Sequence, residues 1–210
     1  MPIFMRSVRA AIALAEREDR DWQAVIDGIR PLTAGIWQSW PVRERERFLR
    51  HLRAFWETSR RRVPPEVEQA VRDMRNRGRL HPMGARIQSI EPRGGRFRVT
   101  AWHADEMLVR EVDWLINCTG PRSDVAKIDD PLVRSLLDEG LIRPHATRVG
   151  VDATPDGRVI DREGNVRDRL LVAGSFLRGV LYESVSVPEL RVQVRAIADR
   201  IAETLVAEPG

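Results

Sequence analysis

Apolar positions recur every three to four residues through the first third of the chain, and every two residues in the stretch that follows. Val8, Ala11, Ile12 and Ala15 set the helical period within residues 3–17. Trp22, Val25, Ile26 and Ile29 repeat it behind Asp21, a residue suited to capping a helix start. Arg30-Pro31 closes that helix, and Thr33 to Trp40 reads as a short helical turn carrying Trp37 and Trp40, stopped by Pro41. From Val42 onward Phe48, Leu52, Phe55 and Trp56 fall on one face, expected to be buried, with Arg43, Arg45, Arg47, Arg50 and Arg53 mainly on the others. Pro64-Pro65 breaks this run and starts another, in which Val67, Ala70, Val71 and Met74 keep the period as far as Gly78. Residues 1–78 are therefore expected to form a helical region.

At Arg79 the period shortens. Residues 85–90, 96–102 and 107–112 read as strands, with Phe97, Val99 and Ala101 alternating with polar partners, and with turns at Gly94-Gly95 and at His103 to Glu106. Residues 79–112 are thus an expected antiparallel meander. The remaining segment, 113–210, opens with Asp113-Trp-Leu-Ile-Asn-Cys-Thr-Gly-Pro121, a brief apolar run cut by Gly-Pro that predicts a strand buried on both faces. Asp130-Pro131 starts a small helix stopped at Gly140. Residues 148–152 and 158–161 suggest a hairpin around Thr154 to Gly157, with a further turn at Glu163 to Asn165. Leu170 to Ala173 predicts a second buried strand, and Ser186-Val-Pro-Glu189 has the form of a capping box for a last helix reaching about Ala207.

Composition narrows the class. The 210 residues suffice for a sizeable core, and 42% hydrophobic with 31% charged residues is ordinary for a soluble globular chain. No apolar run approaches the roughly 20 residues that span a bilayer. The N-terminus has no charged segment followed by an apolar stretch and cleavage site, so no signal peptide is expected. The single cysteine, Cys118, cannot form an internal disulfide, which fits a cytoplasmic location. Of the 35 basic residues only Lys127 is lysine, which leaves one candidate for Schiff-base chemistry. Residues 41–80 hold twelve arginines against six acidic residues; such a block faces phosphates or is a solvated helical face.

Several motif matches fail on their chemistry. Gly174-Ser-Phe-Leu-Arg-Gly179 has the opening spacing of a P-loop, but Val180-Leu181 stands where Lys-Ser/Thr must reach phosphates and magnesium. Asn117-Cys-Thr119 fits a glycosylation sequon inside an expected buried strand. His51, His81, His103 and His145 have no metal-ligand spacing, and no metal site is expected. Cys118 is expected to be a small buried hydrophobe, because free cysteine is among the most buried residue types. The two expected strand ends, Thr119-Gly120-Pro121 and Gly174-Ser175, are the best ligand-facing candidates, since glycine lets backbone approach a ligand closely. Two core strands ending in ordinary turns would give the same pattern.

The run Trp114-Leu-Ile-Asn-Cys-Thr-Gly-Pro121 resembles the strand with a terminal Thr-Gly of two-dinucleotide-binding flavoproteins, and Leu170-Leu-Val-Ala-Gly-Ser175 resembles their late strand beside the flavin. Trp37, Arg47-Phe-Leu-Arg-His-Leu52, Phe55-Trp56, Arg60-Arg-Arg62, Pro65-Glu-Val67, Gly179-Val-Leu-Tyr-Glu183 and Val187-Pro-Glu-Leu-Arg191 look more particularly like bacterial FAD/NAD(P)-binding oxidoreductases of the YdhS-like type. The resemblance runs from about Trp22 to Ala207. It implies an α/β fold of α+β-like character: a helical N-terminal part, the antiparallel meander, and a remnant of the flavoprotein FAD-binding sheet with a C-terminal helix. Two departures stand out. The 210 residues contain no Gly-x-Gly-x-x-Gly, and Ser175 stands where the family carries an acidic residue.

On this resemblance the chain is the C-terminal portion of an FAD-dependent, NAD(P)H-linked oxidoreductase, incomplete without a Rossmann unit. Thr119, Gly120, Pro121, Gly174, Ser175, Arg178 and Gly179 would line FAD. Arg50, Arg60 and Arg62 would meet a nucleotide phosphate or an acidic substrate. The alternative is a non-catalytic module completed by a partner chain that supplies the Rossmann unit. A third reading, a basic nucleic-acid-binding protein using residues 41–80, is disfavoured by the expected burial of Phe48, Phe55 and Trp56, which leaves no ring free to stack on bases.

Overall fold

The computed structural model describes residues 2–60 and 63–207. Helices α1 (Pro2–Arg17), α2 (Gln23–Ile29), α3 (Thr33–Ser39), α4 (Val42–His51), α5 (Arg53–Arg60) and α6 (Pro65–Asn76) come first. Strands β1 (Arg86–Arg93), β2 (Arg96–His103) and β3 (Glu106–Val112) follow, then α7 (Pro131–Asp138), β4 (Arg158–Ile160), β5 (Val166–Leu171), α8 (Arg178–Leu181) and α9 (Val187–Ala207). The chain is thus α/β, built from helices and two small antiparallel sheets. It divides into two compact units: residues 1–61 with 122–210, and residues 62–121.

In the first unit the start signals read from the sequence take hold. The Asp21 carboxylate accepts the Gln23 amide at 2.8 Å. Asp130 caps α7 by accepting from the amides of Leu132 at 3.0 Å and Val133 at 3.1 Å, with Pro131 in the first turn. Gly140, at φ +74°, stops that helix. An apolar core gathers Val125, Val133, Ile142, Val151 and Val159, with Leu136, Leu137, Leu170 and Phe176 against it. The expected hairpin pairs across its turn, with the Ile160 amide on the Asp152 carbonyl at 2.9 Å and an antiparallel bridge from Ala153 to Val159; β4 also joins β5 antiparallel, and Val151 bridges to Pro144. The Thr154–Gly157 turn does form, closed by the Gly157 amide on the Thr154 carbonyl at 2.9 Å. Leu170 and Leu171 end β5, so the second buried strand is shorter than expected and half-buried.

The second unit carries the meander in the order β1-β2-β3, all antiparallel, with Val99 opposite Ile90 and Arg110. Both turns fall where the glycine and Ala-Asp pairs predicted them, and Gly94, Gly95, Ala104 and Asp105 all have positive φ. The segment after β3 departs from expectation. Trp114 to Cys118 forms no strand among the described residues; Trp114 is 85% and Ile116 80% exposed. An apolar run needs a neighbouring strand to satisfy its amides, and the meander ends its pairing at Val112. Beyond it Asn117 Oδ1 accepts from the amide and hydroxyl of Thr119, at 3.0 and 2.7 Å, a local turn that competes with ladder formation. Cys118 is accordingly exposed rather than buried.

Candidate functional site

The residues singled out after β5 lie in a 3-10 turn, Gly174–Leu177, that runs directly into α8. Gly174 adopts φ +67°, and both its backbone groups are occupied. Its amide donates to Gln193 Oε1 at 2.8 Å, and its carbonyl accepts from Ser184 Oγ at 2.8 Å. The buried Gln193 also donates through Nε2 to the Ser184 carbonyl at 3.1 Å, which latches the loop onto α9. Ser175 is exposed. Gly179 is buried, and a Cβ there would stand 2.2 Å from the Val149 carbonyl oxygen and 2.5 Å from Cγ of His145. Its lack of a side chain therefore serves internal packing.

Around α8 the aromatic residues close a second core. Trp37 is 2% and the lone tyrosine, Tyr182, 3% exposed; their rings stack 4.7 Å apart, and Phe48 meets Tyr182 edge-on at 5.2 Å. Trp37 Nε1 donates to the Gly179 carbonyl at 2.7 Å. Three arginines, Arg178, Arg60 and Arg30, pair with carboxylates on the neighbouring elements. Arg178 pairs with Glu57 and lies 5.3 Å over the Tyr182 ring. Arg60 lies 3.7 Å from Glu183, which also accepts from Trp56 Nε1 at 2.8 Å. Arg30 binds Glu189 at 2.8 Å, and Ser186 Oγ donates to the same carboxylate. In place of the amide bonds of the expected capping box, the Ser186 hydroxyl and the Glu189 carboxylate bond each other and Arg30.

The electrostatics describe a lock. Arg30 holds the Glu189 carboxyl below the usual range despite its partial burial, and Glu189 in turn raises Arg30. Burial, with the nearby Glu57 carboxylate, pushes the Tyr182 phenol up, so it stays protonated. His145 is buried, and its Nδ1 accepts the Thr147 amide at 3.1 Å, which places the ring proton on Nε2. Burial, the largest influence on this imidazole, holds its pKa down. Among the described residues no cluster of three His, Cys, Asp or Glu is arranged to hold a metal.

The sequence-derived site therefore divides. Gly174, Ser175, Arg178, Gly179 and Arg60 all belong to the first unit, but Arg60 and Arg178 are committed to carboxylates and the two glycines to internal contacts. Arg50 lies exposed on α4, and Arg62 lies outside the described residues. Thr119, Gly120 and Pro121 end the second unit, where Gly120 has φ +76° and nothing within 4 Å of the position a Cβ would take. The residues of the first unit do not fit FAD as a cradle: the Gly174 amide is taken by Gln193, and Gly179 is packed against the Val149 carbonyl and the His145 ring. Glu57, Gln193 and Ser184, which fix the loop, were not singled out from the sequence, since their partners lie 9 to 121 positions away. No family model, no curated protein and no solved structure matches this chain.

Proposed function

We propose that the chain is the C-terminal portion of an FAD-dependent, NAD(P)H-linked oxidoreductase, and that it contributes to a nucleotide site only when a Rossmann unit carrying Gly-x-Gly-x-x-Gly completes its sheet. One observation carries this reading. Trp114, Leu115 and Ile116 form an apolar run, 85%, 42% and 80% exposed, with no ladder among the described residues. Such a run is stable in water only at a cost, because its apolar surface and its unpaired amides both favour an added strand. A neighbouring strand would satisfy both. The open turn at Thr119-Gly120-Pro121 would then end a paired strand, the position where α/β sheets receive ligands.

Within such an enzyme the nicotinamide and flavin carry the redox chemistry, and this chain supplies walls and charge. Its carboxylate-locked arginines and its latched Gly174–Gly179 loop would act as rigid support. That locked loop also favours a second reading, a non-catalytic module completed by a partner chain. A flavoprotein-type strand–Gly-x-Gly-x-x-Gly–helix unit, added as a separate polypeptide, tests the proposal. The expected result is association with a blue shift of tryptophan emission as Trp114 is covered, together with retention of FAD by the mixture. Association without FAD retention would support the module instead, and absence of association would refute both.

A further inference from the structure

On α4 the outward side carries Arg43, Arg47 and Arg50, all exposed, followed by exposed His51 and, past the bend at Leu52, by Phe55. The orientation is fixed from within, since Phe48 on the inner side is 5% exposed against Trp37 and Tyr182. Arg45 is spent on that side too, donating to the Trp40 carbonyl at 2.9 Å and the Gln38 carbonyl at 3.0 Å. The expected burial of Phe55 does not hold. Its ring is 72% exposed, near the start of the helix that follows the arginine row in sequence. A ring exposed in this way is free to stack on a base.

We propose that this face of α4 and the start of α5 binds single-stranded nucleic acid, with Arg43, Arg47 and Arg50 on successive phosphates and Phe55 stacked on a base. Along the helix axis Arg43 and Arg47 are about 6 Å apart and Arg50 about 4.5 Å further, close to the step between neighbouring phosphates. Guanidinium groups stay charged and offer forked donors to phosphate oxygens. The exposed carboxylate on this helix is Glu46, beside the arginine row, so the face is net positive. A free ring needs an unstacked base, which selects single strands over duplex. An anionic membrane surface would require apolar side chains along the same outward side of α4. Here Phe48 and Leu49 turn into the core instead.

Fluorescence anisotropy of a labelled oligothymidylate of about 20 nucleotides, titrated with the full chain over a potassium chloride series, tests this. Three phosphate contacts predict a log–log salt slope near –2, from about 0.7 per contact on single strands. Combined Arg43→Ala, Arg47→Ala and Arg50→Ala should abolish binding. Phe55→Ala should weaken it about 5- to 160-fold, the range of one stacked base, without changing the slope. If the triple variant unfolds by circular dichroism, Arg47→Glu alone should still weaken binding and lower the slope. No binding at low salt, equal binding by Phe55→Ala, or retention on phosphatidylserine vesicles but not on the oligonucleotide would overturn the proposal. The flavin experiments do not bear on this result.

Discussion

Replacing Gly179 by alanine separates an internal packing role from a ligand-facing one. The new Cβ would lie 2.2 Å from the Val149 carbonyl oxygen and 2.5 Å from the His145 ring, with the φ of residue 179 in an ordinary region. Carbon–oxygen contacts settle near 3.3 Å or beyond, so two backbone segments must separate by about 1 Å. Inserting one methyl into a packed interior costs about 1–3 kcal/mol, and a backbone obstacle puts this site at the upper end. The same movement stretches the 2.7 Å bond from Trp37 Nε1 to the Gly179 carbonyl, a further loss of about 1 kcal/mol. Alanine recovers about 1 kcal/mol through its helix preference, which leaves a net destabilisation of about 3 kcal/mol. With a urea dependence of about 2 kcal/mol/M, the midpoint should fall by about 1.5 M, followed by tryptophan fluorescence. Gly35→Ala, in α3 with nothing within 4 Å of its Cβ position, is the control and should match or exceed the parent. A Gly179→Ala protein with an unchanged midpoint would refute the packing argument and return this glycine to the ligand-facing set.

Further outcomes follow from the same contacts. Burial holds the His145 pKa below its ordinary value of about 6.5, with Asp152 opposing and Arg45 assisting. The unfolded chain therefore binds the proton first. This contribution to stability is fully present above pH about 6.5 and is lost as pH falls through the folded-state value. Urea midpoints of the parent and His145→Gln should therefore converge as the pH is lowered from about 7.5 to about 5.5; parallel curves would count against it. Asp130→Ala should cost about 1 kcal/mol by uncapping α7, read as a lower thermal midpoint, whereas an unchanged midpoint would show that Pro131 alone starts the helix.

Local signals in the sequence identified most of the elements. Asp21, Asp130 with Pro131, and the Gly94-Gly95 and Ala104-Asp105 turns act within a few residues of themselves, and each appears where its chemistry placed it. Trp114 to Ile116 misled, because an apolar run reports a preference for burial and not the presence of a strand to bury against. Phe55 misled similarly: helical spacing put it with Phe48 and Trp56, yet α4 ends at the bend at Leu52 and the ring beyond it lies outside. At the candidate site, glycine spacing at Gly174 and Gly179 was legible, but its meaning was not. Val149, His145, Gln193 and Ser184 decide that meaning through contacts across the fold. The charges of Arg60 and Arg178 were likewise visible, while their neutralisation by Glu183 and Glu57 was not.

The proposal that flavin binding requires an added Rossmann unit is tested most directly by titrating the purified chain alone with FAD and following flavin fluorescence. With Gly174 and Gly179 committed to internal contacts and no glycine fingerprint in the 210 residues, no saturable quenching is predicted up to about 100 µM, corresponding to a binding free energy weaker than about –5.5 kcal/mol. Saturable quenching at low micromolar FAD would contradict the account.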